Sequence, residues 1–301
     1  MKHTQSKNNG TKRHMRMLAI LLVPVVALIL GVAAPELWAD DDDDDDEIEI
    51  PFAEAHLFFE LNNTDGDLGI HALIDGDAWK RLKIEDPKER EMLNVYVQGR
   101  LRRQGLTEIF FESAEPTFDE LSPKKFFRRF PEGTYEIEGR TTKGVEMESE
   151  VELTHVMPAP VDGITLKGSD DPTPVEVDLE DVDCEEDDSV PSVKGETVTI
   201  KWDAVTMSHP DKDGGGAAVQ PPIGVMIHNY EVVVEAEVEV DGEEFSSVFS
   251  VILPPGAPGE TEFSFTIPEE FIALGEEFKY EILAREVSFN QTAVESCFVL
   301  E

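Results

Sequence analysis

A strand that buries one face must alternate apolar and polar residues, and Val198-Thr199-Ile200-Lys201-Trp202-Asp203 does so without a break. Val198, Ile200 and Trp202 fall on one face, Thr199, Lys201 and Asp203 on the other. The same two-residue period returns three times further on. Tyr230-Glu231-Val232-Val233-Val234-Glu235 begins a second run, Phe263-Ser264-Phe265-Thr266-Ile267 is a third, closed by Pro268, and Phe278, Tyr280, Ile282 and Ala284 line one side of a fourth. Asn290 to Leu300 reads as the last strand. Short runs of period two separated by turn residues exclude a helical domain and specify a sandwich of sheets.

Trp202 stands on the first strand of this set, Tyr230 on the second, and Leu274 leads from a turn into the strand carrying Phe278. In these features Val198 to Leu300 resembles a fibronectin type III domain. That family usually has tyrosine where Phe278 stands, and its hydroxyl fastens the corner between two strands. Phe278 keeps the apolar spacing and lacks the bond. The resemblance implies a module that binds or connects rather than catalyses, although likeness of fold does not by itself carry function.

A chain of 301 residues has room for about two domains. The N-terminus carries Lys2, Lys7, Lys12, Arg13 and Arg16, then an apolar core from Met17 to Ala34. Basic, then apolar, then small residues is the order of a secretory signal peptide, here residues 1–39. Leu37-Trp38-Ala39 offers cleavage before Asp40, with Val32-Ala33-Ala34 as the competing site. The apolar stretch is about long enough to span a bilayer, so an uncleaved signal anchor is the alternative. No cysteine directly follows the apolar core, which argues against a lipoprotein anchor. Asp40 to Asp46 are consecutive aspartates that repel one another, so 40–52 is expected as an acidic disordered tail. The formal charge of −40 excludes nucleic acid and disfavours an anionic membrane surface. It suits cations, a salty medium or a basic partner.

Residues 53–157 read as a first β-sandwich domain, 158–189 as an acidic linker and entry segment, and 190–301 as the fibronectin type III-like domain. In the first, Ala55 to Leu61 is a buried strand and Ile70 to Ile74 a second, ended by the turn Asp75-Gly76-Asp77. Leu93 to Val97 and Leu106 to Glu112 follow as strands separated by the basic turn Arg100 to Gln104. Asp119 to Phe130 is the one expected helix, with Ser122 as N-cap, Pro123 in the first turn, and Phe126, Phe127 and Phe130 on an apolar face. Thr134 to Arg140 and Val145 to His155 form a hairpin around Thr142-Lys143-Gly144. The pattern Pro131-Glu132-Gly133-Thr134-Tyr135-Glu136-Ile137 followed by Gly144 resembles the closing hairpin of immunoglobulin-like sandwiches. In the second domain, the insertion His209 to Gly216 is a candidate contact loop and Pro254 to Gly259 a stiffer one.

Asn63, Asp65 and Asp67 alternate with Thr64 and Gly66, placing oxygen ligands where a calcium loop wants them. An EF-hand is excluded, because Leu68 and Ile74 stand where that loop needs glycine and glutamate. A calcium-binding turn completed by Asp75 and Asp77 remains, against an Asp/Gly turn that needs no metal. Cys184 and Cys297 are the two cysteines and pair in one way only. In an oxidising compartment such a bond persists and stabilises by roughly 4 kcal/mol. His56, His71, His155, His209 and His228 show no zinc spacing, and neither a GxSxG elbow nor a Walker loop is present. The expectation is an exported all-β protein, periplasmic or extracellular, that binds or scaffolds without catalysis, its partner a protein or surface of basic character. The rivals are a secreted or periplasmic enzyme with its site in the first domain, and a structural subunit of a surface assembly.

Overall fold

The computed structural model describes residues 49–184, 189–210, 221–240 and 243–301. The expected signal peptide, the aspartate run and most of the insertion after His209 lie outside them. The first half holds β1 (Glu49–Ile50), β2 (Glu54–Asn62), β3 (Asp67–Glu85), β4 (Glu91–Tyr96), α1 (Leu101–Gln104), β5 (Leu106–Glu112), α2 (Pro123–Phe127), β6 (Gly133–Thr141) and β7 (Glu146–Leu153). The second holds β8 (Thr165–Gly168), β9 (Val175–Glu176), β10 (Ser192–Val193), β11 (Val198–Asp203), β12 (Ile227–Val240), β13 (Glu243–Leu253), β14 (Glu262–Ile267), α3 (Glu269–Ile272), β15 (Glu277–Glu286) and β16 (Gln291–Leu300). The all-β reading holds, and the strands form open sheets around two apolar cores.

In the first sandwich β3 belongs to both layers. Its opening half, to Asp75, pairs with β2 and β5, and its closing half, from Trp79, pairs with β4 and β6. The expected turn at Asp75-Gly76-Asp77 is therefore absent: the strand bends through an irregularity between Asp75 and Trp79 and continues. Gly76 serves packing instead, because a Cβ there would lie 2.7 Å from the Met147 methyl and 3.1 Å from the Phe52 ring. Leu57, Phe59, Leu61, Ile70 and Ala72 from one layer and Leu82, Ile84, Tyr135, Ile137 and Met147 from the other are all buried in one core.

The expected helix from Asp119 to Phe130 is confined to the single turn α2. Ser122 precedes it without a side-chain cap bond, and Arg129 N–H and Phe130 N–H donate back three residues, to Phe126 and Phe127. Such bonds tighten a turn rather than extend a helix. What holds the segment is aromatic packing, with Phe127 and Phe126 edge-on to Phe59 at 5.1 and 6.0 Å and Phe130 at 6.2 Å. The basic turn before β5 is also helical, as α1, so this half has two short helices rather than one.

The second sandwich sets the layer β14–β11–β8–β9 against β13–β12–β15–β16. Trp202 on β11 is fully buried, its ring 5.7 Å from that of Tyr230 on β12, whose hydroxyl accepts the Val205 N–H at 2.8 Å. Val198, Ile200, Phe278, Tyr280, Ile282 and Ala284 are buried as their alternation predicts. The stretch expected as an acidic entry segment is partly built into this sandwich. It contributes β8 and β9, and Val161, Ile164 and Leu166 are buried in the core. Gly168, on β8, packs so closely on the chain that a Cβ would lie 2.0 Å from the Lys194 carbonyl oxygen. Gly168→Ala must shift backbone, so a loss of roughly 3 kcal/mol is expected on urea denaturation.

The two sandwiches share a sheet. β16 pairs parallel with β2, Gln291 opposite Glu60, Thr292 opposite Leu61 and Ala293 opposite Asn62. Asn290, completely buried, completes the junction. Its Oδ1 accepts the Phe59 N–H at 2.8 Å, and its Nδ2 donates to the carbonyls of Thr154 and Val156, both at 2.9 Å.

Candidate functional site

Where β2, β3, β15 and β16 meet, one face of the shared sheet is apolar and belongs to the two cores. Side chains alternate across a strand, so the other face carries Glu60 and Asn62 of β2, Asp67, Gly69 and His71 of β3, Lys279, Glu281 and Arg285 of β15, and Gln291, Ala293, Glu295 and Cys297 of β16. This second face is mostly polar, with Phe58 and Leu283 also on it, and yet largely out of water. Glu60 is 7% exposed, His71 1%, Glu281 9%, and Gln291 and Ala293 not at all.

His71 stands between two carboxylates. Its Nε2 is 3.1 Å from Glu115 Oε1, and its Nδ1 is 3.7 Å from Glu60 Oε2, beyond hydrogen-bond reach and without a hydrogen-bond partner. Glu115 arrives on the segment after β5 and lies over Gly69, where a Cβ would come within 2.4 Å of Oε1. Glycine at 69 is thus what admits that carboxylate to the face. Glu60 accepts a hydrogen bond from Gln291, whose Oε1 accepts from Arg285 Nε at 2.6 Å. Arg285 also faces Glu231 Oε2 at 3.4 Å, and Ser250 donates to Glu231 Oε1 at 2.7 Å. Glu281 and Glu295 sit directly opposite each other on β15 and β16. Asn62 donates to Glu295 Oε1 at 2.6 Å.

So many acids in so little water disfavour ionisation. Burial raises the Glu60 carboxyl, with Glu115 and Glu112 adding to it and His71 and Gln291 opposing. Burial, then Glu115, Asp65, Glu295 and Glu60, push Asp67 up to about 7. Burial and Asp65 push Glu295 up to about 7. Glu281 is raised well above the usual carboxylate range by burial and by Glu60, Glu295, Glu231 and Glu115. For His71 burial works against the charged form, but the Glu115 hydrogen bond and the fields of Glu60 and Glu115 outweigh it and raise its pKa. A carboxyl raised in the fold binds its proton more tightly there than in the unfolded chain. Its stabilising effect is complete below the unfolded value near 4 and is lost as pH rises through about 7 for Asp67 and Glu295.

Of the residues expected as calcium ligands, Asn63 and Asp65 lie in the β2–β3 turn and Asp67 opens β3. Asn62 closes that turn, its Oδ1 accepting the N–H groups of Thr64 at 3.0 Å and Asp65 at 3.1 Å, and Asn63 Oδ1 meets His209 Nε2 at 3.1 Å. Asp75 and Asp77 are not brought there. Asp75 is eight residues further along β3, opposite Glu54 and Glu108, or about 26 Å away at ~3.3 Å per residue. Asp77 lines a cleft of about 670 Å³ with Ile50, Thr142, Lys143 and Glu146. The disulfide between Cys184 and Cys297 is formed, with Cα atoms 5.9 Å apart, and ties the chain to the same polar face. Glu60, Glu115, Glu281 and Glu295 were not expected from sequence. For Glu60 and Glu281 the signal is an acid inside an apolar run, Leu57-Phe58-Phe59-Glu60-Leu61 and Tyr280-Glu281-Ile282-Leu283; Glu115 and Glu295 carry none.

No protein-family model matches the sequence, and no curated protein does. Among solved structures the chain is similar to a 1.5-MDa bacterial ice-binding adhesin, at 10% identity over 84% of this chain and 66% of that one, with a TM-score of 0.21. It is similar to a Salmonella alpha-2-macroglobulin at 11% identity, over 87% of this chain and 16% of that one, with a TM-score of 0.22. A Ca²⁺-stabilised adhesin with which an Antarctic bacterium binds ice gives 11% identity, 82% and 50% coverage and a TM-score of 0.21. The chain spans less than two thirds of the length of each. At such TM-scores the likeness carries neither fold nor function to this chain.

Proposed function

We propose that this protein is exported and acts without catalysis, as a binding or scaffolding unit outside the cytoplasm, with calcium at the turn of Asp65 and Asp67 holding the first sandwich. The observation that carries the reading is that the buried acid–imidazole cluster lies away from the open cleft beside Thr141 to Glu146. Glu60, His71 and Glu281 are shut into a sheet face, while that cleft is lined by Asp77, Lys143 and Glu146 without an imidazole. A catalytic site needs both together. The two-layer strand arrangement and the Trp202–Tyr230 contact support a fibronectin type III-like second sandwich, a class that mostly binds or connects. The disulfide supports an oxidising compartment. A partner for a chain of net charge −40 is a basic protein or surface.

Expression of the full chain in a bacterial host, with fractionation and mass spectrometry, tests this. The expected product lies outside the cytoplasm, begins at Asp40 and resists thiol alkylation until reduced. A full-length cytoplasmic product with two reactive thiols would contradict it. The second reading, a subunit of a surface assembly, is favoured by β13. Among the described residues β13 pairs with β12 alone, and Phe245, Val248 and Ile252 on it are exposed. Such an edge invites pairing between chains. Sedimentation would then show an oligomer that Val248→Lys disperses.

A further inference from the structure

We propose that His71, Glu60 and Glu115 form a zinc site at the seam between the sandwiches, where the ion ties the segment after β5 to the shared sheet. The site is independent of the calcium turn, with which it shares no residue.

Three elements bring the ligands together. Glu60 is on β2 and His71 on β3, while Glu115 comes from the segment between β5 and α2. That segment is fastened to β3 on both sides of Glu115. Before it, the Ser113 N–H donates to the Ile70 carbonyl and the Ile70 N–H to Ser113 Oγ, both at 3.0 Å. After it, the Phe118 N–H donates to the Gly66 carbonyl at 2.7 Å. One ligand atom from each of Glu60, His71 and Glu115 lies within 4.8 Å of one from each of the others. The rings of Phe58 and Phe110 flank the imidazole at 5.4 and 6.1 Å. Glu115, with 26% of its side chain exposed, leaves a way in from solvent.

Converging acids alone are no site; the observation that points to an ion is on the imidazole. His71 Nε2 lies 3.1 Å from Glu115 Oε1 and donates to it, because an ionised carboxylate only accepts. In the neutral ring Nδ1 then carries the lone pair. Nδ1 is buried, has no hydrogen-bond partner among the described residues, and faces Glu60 Oε2 at 3.7 Å. Two acceptors that face each other away from water repel unless something positive stands between them. The gap is too long for a hydrogen bond and fits an ion held about 2.1 Å from each. Gln291 donates to Glu60 and Glu115 accepts from His71, so ligand oxygen and ligand nitrogen are each oriented by a hydrogen bond, as in established metal sites. The other convergent group among the described residues, Glu85, Glu136 and Glu138, already has its cation, with Lys83 Nζ 3.0 Å from Glu85 and 2.9 Å from Glu138. An imidazole nitrogen with carboxylate oxygens suits zinc, whereas calcium takes oxygen alone.

The test is calorimetric titration of zinc into the untagged, chelator-stripped full chain, with nitrogen NMR of the histidine rings, for wild type, His71→Gln, Glu115→Gln and Glu138→Gln. Wild type is expected to bind one zinc tightly and to shift the His71 ring signals as it does so. Affinity should fall about 100-fold in His71→Gln and about 10-fold or more in Glu115→Gln, and stay unchanged in Glu138→Gln. Glu115→Gln leaves an acceptor for Nε2 at the exposed margin, so its loss of zinc is not a loss of fold. No tight site in wild type overturns the proposal, as does zinc that binds without moving the His71 ring signals, the result for an imidazole that is merely a protonated ion-pair partner. Glu115→Gln binding as wild type does removes Glu115 from the site and contradicts the proposal as stated. Zinc lost in Glu138→Gln and kept in Glu115→Gln places the ion at the other acid group. Displacement of zinc by an equal concentration of calcium overturns the choice of metal.

Discussion

Replacing Asn290 with alanine is expected to destabilise the protein by roughly 3–5 kcal/mol, the largest effect of any polar substitution outside the site. The side chain is completely buried and satisfies three main-chain groups from two other segments, the Phe59 N–H and the carbonyls of Thr154 and Val156. Alanine leaves all three in a dry environment without partners, at about 1–3 kcal/mol for each. No water-filled route offers itself, because Phe59 and Thr292 on either side are equally buried. The loss should appear as a fall in the urea midpoint with little change in slope. A loss under about 1 kcal/mol would mean that the junction is not held as described.

Removing the disulfide is expected to cost about 4–5 kcal/mol in the chain-entropy account, since the bond closes a long loop, the two cysteines being 113 residues apart. Cys184→Ala with Cys297→Ala tests this without leaving a buried free thiol, and reduction of the wild type should give a similar fall in the urea midpoint. Cys297 lies on the polar face two residues beyond Glu295, so the bond also fastens the segment around Asp183 and Ser189 there. Ser189 reinforces that loop, its Oγ accepting the Asp183 N–H at 2.8 Å and donating to the Asp183 carbonyl at 2.9 Å. A reduced protein as stable as the oxidised one would show that the loop is already ordered in the unfolded chain.

The strands that could be read from sequence are those that put apolar residues on a core-facing side and mostly polar residues on the other. β11 and β15 alternate because Val198, Ile200, Trp202, Phe278 and Tyr280 face a core while Thr199, Lys201 and Lys279 do not. β13 escaped because it lies at a sheet edge, where Phe245 and Val248 are exposed and Phe249 is only partly covered, so no clean period survives. The path of β3 was illegible for another reason. Asp75-Gly76-Asp77 has the composition of a turn, and only the pairing partners β5 and β6 and the contact of Met147 with Gly76 decide that the strand goes on. α2 was overestimated because three phenylalanines at helical spacing satisfy the Phe59 ring as well from a single turn as from three.

The seam is the least local feature of all. Gln291 and Glu60, which bond each other, are 231 residues apart, and His71 and Glu115 are 44 apart. In a chain with 65 acidic residues no spacing singles out Glu60 and Glu115, whose carboxylates close on His71. The turn at Asn63 to Asp67 could be read as a site because its residues are adjacent in sequence, and adjacency is the only proximity a sequence displays. The pairing of β16 with β2 brings Gln291 to Glu60, and that pairing is a tertiary event.

The shared strand pair and Asn290 make the two sandwiches a single body. Scanning calorimetry of the oxidised full chain in chelator tests it most directly. One transition is predicted, with the calorimetric enthalpy equal to the van't Hoff enthalpy, because neither core can open without exposing the seam. Two resolved transitions, one for the core of Trp79 and one for the core of Trp202, would contradict it.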